Sequence, residues 1–212
     1  ERVQAEVRAA AQAANLRRLL ATTSVEGPFD ERAGAVLREM TDMLGLQHGL
    51  LATVADGLFS VLASHAAEGE PAAVGTDLPI GRTYCLLPVA SGRLVAIPDL
   101  SETALDPADR VPEELGAYVG APVVVDGQIS GTLSFWAPHV TDAFSEADQD
   151  LVRMAALWAG ALLERDLRQQ EAEADVARIE ALADAFALRS ADDVGKVGEV
   201  IETLRAQLDL KT

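Results

Sequence analysis

The chain has 212 residues, 49% of them hydrophobic and 24% charged, enough to bury one large domain or one domain with extensions. A net charge of -17 gives a surface that repels phosphate backbones and anionic head groups, which argues against a nucleic-acid or membrane-surface role. A single cysteine, Cys85, leaves no internal disulfide to form and fits a reducing cytoplasm.

No basic-then-apolar leader opens the sequence at Glu1. The longest apolar run, MAALWAGALL at 154–163, is about half of the roughly 20 residues a bilayer-spanning helix needs. The chain reads as a soluble fragment. Residues 1–21 lack Gly and Pro and are rich in helix formers, with Val3, Val7, Ala10 and Ala14 recurring at steps of four and three, a thin coiled-coil stripe. Gly27-Pro28 ends that helix, and a second is predicted at about 30–45, with Val36, Leu37, Met40 and Leu44 on one face.

HGLLATVADGLFSVLASH then places two β-prone runs around Asp56-Gly57, and AYVGAPVVVDGQISGTLSFWA does the same around Asp126-Gly127. Asp-Gly favours the tight primed turn of a hairpin. Between the hairpins the sequence predicts a short helix around Tyr84–Ala90 closed by Gly92, the strand LVAIPD, and a polar segment at 101–116 read as a loop with a short helix. In QISGTLSFW, strand alternation puts Ile129, Leu133 and Phe135 on one face and Ser130, Thr132, Ser134 and Trp136 on the other. The first face suits packing on helices 30–45 and 145–165. The second, polar but uncharged, suits solvent or a lined cavity.

Residues 145–188 form the longest helical stretch, opening on Ser145 with Asp148 three positions on. Leu151, Ala155, Trp158 and Leu162 face one side. From Ala172 the spacing becomes a heptad seam of Ala172, Val176, Ile179, Ala183 and Phe186. Finally, AGAVLREMTDMLGL at 33–46 overlays VGEVIETLRAQLDL at 197–210 without a gap. That overlay leaves open whether 191–212 begins a second copy of the domain or repeats a common helix pattern.

ASGRLVAIPDL, LGAYVGAPVVVDGQISGTLSFW and FSEADQDLVRMAALWAGALLE, in this order and separated as they are, make residues ~28–165 resemble a GAF domain, and TYC before a helix resembles its bacterial and archaeal sensor subgroup. The resemblance implies an α+β fold: an antiparallel sheet of about five to six strands with helices on both faces, flanked by long N- and C-terminal signalling helices. The implied organisation is a linker helix at 1–24, the sensory domain at 25–165, a coiled-coil-like linker helix at 166–190 and a further helix at 191–212. It also implies a pocket between the second sheet face and the connecting region, with Tyr84, Cys85, Ile97, Tyr118, Ser134 and Trp136 as candidates, although such residues are more often core or edge than ligand contacts.

The function implied is a cytoplasmic sensory module of a signal-transduction protein, of the two-component kind or acting on a cyclic-dinucleotide enzyme. An unidentified small molecule or partner would be read by the domain, and a parallel homodimer through 1–21 and the 172–186 seam would pass the change to an effector outside this fragment. The rival is a GAF module that binds nothing small and serves dimerisation alone. Family members that attach bilins pair the cysteine with a histidine, but Leu86 follows Cys85 here. Reduction of methionine sulfoxide needs a second thiol to resolve the first, which this chain lacks. His48, His65 and His139 are scattered, and a solitary histidine is more often structural than a haem ligand. No cofactor is specified, no Lys-Ser/Thr follows GAYVGA to cradle phosphate, and the acids Asp99, Asp106, Asp109, Glu113 and Glu114 read as a solvated loop. The expectation is a non-enzymatic domain in which Cys85 is buried and inert.

Overall fold

Two Asp-Gly dipeptides set the strand pairing. In the computed structural model, which describes residues 2–103 and 115–209, Asp56 and Gly57 have φ of 52° and 77°, and Asp126 and Gly127 have φ of 48° and 76°. Two successive left-handed residues make the primed turn whose twist matches that of the flanking strands. The first turn joins β1 (His48–Ala55) to β2 (Leu58–Ala66), and the second joins β5 (Ala117–Val125) to β6 (Gln128–Ala137). β1 and β6 then pair antiparallel, from His48↔Trp136 to Thr53↔Gly131. Short edge strands β3 (Asp77–Pro79) and β4 (Val95–Ile97) complete a six-stranded antiparallel sheet of order β3-β2-β1-β6-β5-β4.

The chain divides into two units, 1–165 and 166–212. In the first, α1 (Arg2–Thr23), α2 (Phe29–Leu44) and the opening turns of α4 (Glu146–Asp209) cover one sheet face. Their apolar stripes are those the spacing predicts: Val36, Leu37 and Met40 meet Leu133 and Phe135 of β6 and Leu151, Ala155 and Leu162 of α4. Gly160 lets α4 lie directly on the sheet, since a Cβ there would stand 2.3 Å from the Val124 carbonyl oxygen. Ser145 and Asp148 cap α4 reciprocally: Ser145 N–H donates to the Asp148 carboxylate and Asp148 N–H to Ser145 Oγ. Trp158 ties the layer together, donating from Nε1 to the Thr23 carbonyl and lying 5.7 Å beneath the Arg32 guanidinium.

The opposite face is covered by the connecting region, in which α3 (Leu86–Ser91) follows Tyr84 and Cys85 and ends at Gly92 with φ of 64°. The helix thus starts two residues later than the sequence predicts. β4 follows, and Asp99 caps the 3-10 turn Leu100–Glu102 by accepting from Ser101 N–H. The other four acids of the expected loop cluster lie outside the described residues.

Strand alternation fails at two bulges. Register shifts between Val123 and Val124 leave Ser130 as the extra residue of β6, so Ile129 does not share the face of Leu133 and Phe135. It lies instead beside Gly92 at the end of α3. A matching shift in the first hairpin puts Phe59 and Val61 on the covered face and Ala63 in the helix-side core.

The second unit is α4 continuing to Asp209, helical across 189–196 where the sequence separates a linker helix from the next. Ala172, Val176 and Ile179 are exposed, as are Ala10 and Ala14 of α1. The side chains of Ala183, Phe186, Val3 and Val7 lie outside the described residues. Among the described residues no helix is long and apolar enough to cross a membrane.

Candidate ligand-binding cavity

The sheet and its covering region line a half-open cavity of about 480 Å³. Alternation along β1, β2, β5 and β6 supplies one wall: His48, Leu50, Phe59, Val61, Tyr118 and Trp136. Thr83, Tyr84 and Cys85, immediately before α3, supply another. The β2–β3 loop closes over the top with Glu70 to Ala73. That loop is pinned at both ends, by Ser64 Oγ donating to the Ala72 carbonyl and by Gly75 N–H donating to the Val61 carbonyl.

Tyr118 owes its position to Gly120. Both face the cavity from β5, and the Tyr118 ring runs along the strand so that its hydroxyl occupies the space a Cβ on residue 120 would need, 2.3 Å away. Gly120 pairs with Ser134 across the ladder, which brings Tyr118 Oη within 3.1 Å of Ser134 Oγ. Ser134 is also 3.3 Å from Cys85 Sγ. Tyr118, Ser134 and Cys85 therefore form a buried relay of hydrogen-bonding groups at the inner end of the cavity. Thr132 Oγ1, two residues along β6 and fully buried, makes no regular hydrogen bond.

Burial sets the protonation states. It pushes the Cys85 thiol up, and the hydroxyls of Ser134, Thr132, Tyr118 and Thr83 only partly offset it. It pushes the Tyr118 phenol well up too, with the neighbouring Cys85 adding to the effect. Both groups stay protonated near neutral pH, the reverse of the exposed, electropositive setting that makes a cysteine nucleophilic. His48 stacks on Trp136 with ring centroids 5.1 Å apart and planes 13° from parallel, and burial holds its imidazole below the usual value. Among the described residues no group of three or more His, Cys, Asp or Glu gathers as a metal site.

Of the six candidates from sequence, Tyr84, Cys85, Tyr118 and Trp136 line the cavity and Ser134 lies directly behind it. Ile97 does not reach it; it packs in the apolar cluster of Tyr84, Leu100 and Tyr118. Sequence reasoning missed His48, the first-hairpin wall of Leu50, Phe59 and Val61, Thr83 and the Glu70–Ala73 cover. His48 was within reach of the β1–β6 register, because it stands directly opposite Trp136.

A sheet of this order, covered by helices on one side and by a short-helix connection lining a cavity on the other, invites comparison with known domains. The GAF domain family profile matches residues 28–163. The chain belongs to the GAF family. A search of curated proteins by sequence returns no match. Among solved structures, the GAF domain of an Acinetobacter phosphoenolpyruvate-protein phosphotransferase superposes with a TM-score of 0.64 at 14% identity, covering 76% of this chain and 97% of that one. A free methionine-R-sulfoxide reductase from Neisseria meningitidis, in complex with its substrate, gives 0.60 at 19% identity over 75% of this chain and 93% of the reductase. The GAF domain of Thermosynechococcus elongatus PixJ, in its blue-light absorbing form, gives 0.55 at 19% identity over 77% and 95%. At these identities the likeness is one of fold. The same scaffold is found in a domain of a phosphotransferase, in a reductase and in a light-absorbing domain.

Proposed function

We propose that this GAF domain is a sensory module: a small molecule enters the cavity, and the domain passes its occupancy to the flanking helices of a homodimer. The observation that carries the reading is the placement of the cavity against β6. Ser134 and Trp136 of that strand face the cavity side, while Leu133 and Phe135, bonded directly to them, face α2 and α4. A strand shared by cavity wall and helix-packed core gives a ligand differential contact with two arrangements of the helices, the condition for a population shift. Close-packed interfaces tend to switch between discrete arrangements rather than deform smoothly.

The dimer half of the proposal rests on the seam in α4. Val176 and Ile179 are 55% and 65% exposed in the single chain, an arrangement a second copy would cover. The signal would travel along α4 to an effector elsewhere in the protein.

Cys85-dependent catalysis is the less supported reading, because the thiol is buried, held protonated and has no resolving partner. Native mass spectrometry of the protein isolated from its host tests the sensory reading directly. A recurrent bound mass, lost in a Trp136→Ala variant that still folds, is the expected result. A protein that remains empty across growth conditions and binds no member of a small-fragment library favours the dimerisation-only role.

A further inference from the structure

The charge and hydrogen-bonding character of the cavity select among ligands. Among the described residues its wall carries no lysine or arginine, and its one carboxylate is Glu70, on the covering loop. His48, the remaining group able to carry positive charge, is held neutral near pH 7 by burial. An anion entering this space would give up part of its hydration and gain no counter-charge in return. It would also approach Glu70 within a chain of net charge -17.

The inner end favours a particular neutral partner. Tyr118, Ser134 and Cys85 each can donate as well as accept, so the relay can turn one hydroxyl hydrogen toward an acceptor that enters the cavity. Phe59, Tyr84, Tyr118 and Trp136 give the remaining wall its aromatic surface, and Leu50, Val61 and Leu78 keep it apolar. A flat ring would satisfy this lining by stacking and burial, and a carbonyl directed at Tyr118 would accept its hydroxyl hydrogen.

Resting on the sensory reading above, we infer that the ligand class is an uncharged, planar ring compound bearing a carbonyl acceptor, and that anionic metabolites of the same size are rejected. The inference narrows that reading from a small molecule of any kind to one chemical class.

A matched pair of probes, indole-3-carboxamide and indole-3-carboxylate, separates the two parts of the claim. Both are titrated into the protein while the indole N–H resonances of Trp136 and Trp158 are followed by NMR. Trp158, on the helix side of the sheet, reports non-specific effects. The carboxamide is expected to shift Trp136 saturably, and the carboxylate to bind about tenfold or more weakly. In Tyr118→Phe the carboxamide is expected to lose about tenfold, the share of one hydrogen bond. A carboxylate that binds as tightly as the carboxamide overturns the charge assignment while leaving a ligand-binding cavity in place. A Tyr118→Phe protein that binds the carboxamide unchanged overturns the carbonyl assignment. If neither probe moves Trp136 at low millimolar concentration, the ligand class assigned here is overturned, while the sensory reading stands or falls separately on the native mass measurement.

Discussion

Tyr118 lies over Gly120, and that single contact decides whether the inner end of the cavity exists. Gly120→Ala brings two opposed effects. Alanine restricts the unfolded chain and contributes about 0.4–1 kcal/mol in favour of folding. Its Cβ would stand 2.3 Å from the Tyr118 hydroxyl and 3.1 Å from Ser134 Oγ, so the ring must leave its contact with Ser134, and overpacking of this kind costs about 1–3 kcal/mol. The second effect wins, so urea denaturation is expected to show a net loss of about 1–2 kcal/mol. Cys85, protonated and 6% exposed, is expected to react with a disulfide reagent at neutral pH only at the rate of local opening, and fast labelling in the folded state would reinstate a catalytic thiol. Two partly buried histidines set a pH dependence. Burial lowers His48, and burial, Arg38 and then His48 lower His65, from an ordinary value of 6.5. Below that pH the unfolded chain takes up protons that the folded chain does not, so these groups withdraw stability as pH falls from 6.5 through their lower folded values. A thermal midpoint that drops over this range, and drops less in His48→Gln, is the expected result.

Gly160 makes the approach of α4 to β5 a tight joint between helix and sheet. Gly160→Ala adds about 1 kcal/mol of helix preference, yet the new methyl would meet the Val124 carbonyl at 2.3 Å, and a backbone oxygen in the sheet cannot rotate away as a side chain can. The helix must lift, and denaturation is expected to show a net destabilisation of about 1–2 kcal/mol. The helices and turns of this architecture were legible in the sequence because each depends on local chemistry: the stripe Val36, Leu37, Met40 of α2, the cap at Ser145 and the two Asp-Gly turns. The parity of Leu133 and Phe135 against Ser134 and Trp136 was legible for the same reason. Ile129 was misplaced because a bulge reverses parity and leaves no local mark; Ser130 looks like any other strand residue. The cavity was half legible. Tyr84, Cys85, Tyr118 and Trp136 were named from the sequence, but Leu50, Phe59 and Val61 of the first hairpin were not, because a bulge breaks the alternation in that hairpin. His48 required the register of strands far apart in sequence, and the Glu70–Ala73 cover required a loop path that no periodicity encodes.

The whole protein is proposed to work as a pair, and the acidity of the chain makes that proposal sharp. With a net charge of -17 on each copy, two chains repel at low salt, and association needs an apolar seam sufficient to overcome it. Ala172, Val176 and Ile179 form a narrow seam with two bulky side chains among the three, and a dimer held by it is expected to be weak and strengthened by salt, which screens the repulsion. Sedimentation at tens of micromolar is expected to give a dimer whose dissociation constant falls as salt rises. Val176→Glu combined with Ile179→Glu puts two more negative charges into each copy at the seam and is expected to give a monomer at the same concentration. The cavity and the sheet lie in the first unit, so the variant's Trp136 resonance and carboxamide binding are expected to stay intact. A variant that remains dimeric would locate the interface away from the heptad seam, and a parent that is monomeric at tens of micromolar would remove the dimeric relay from the proposal.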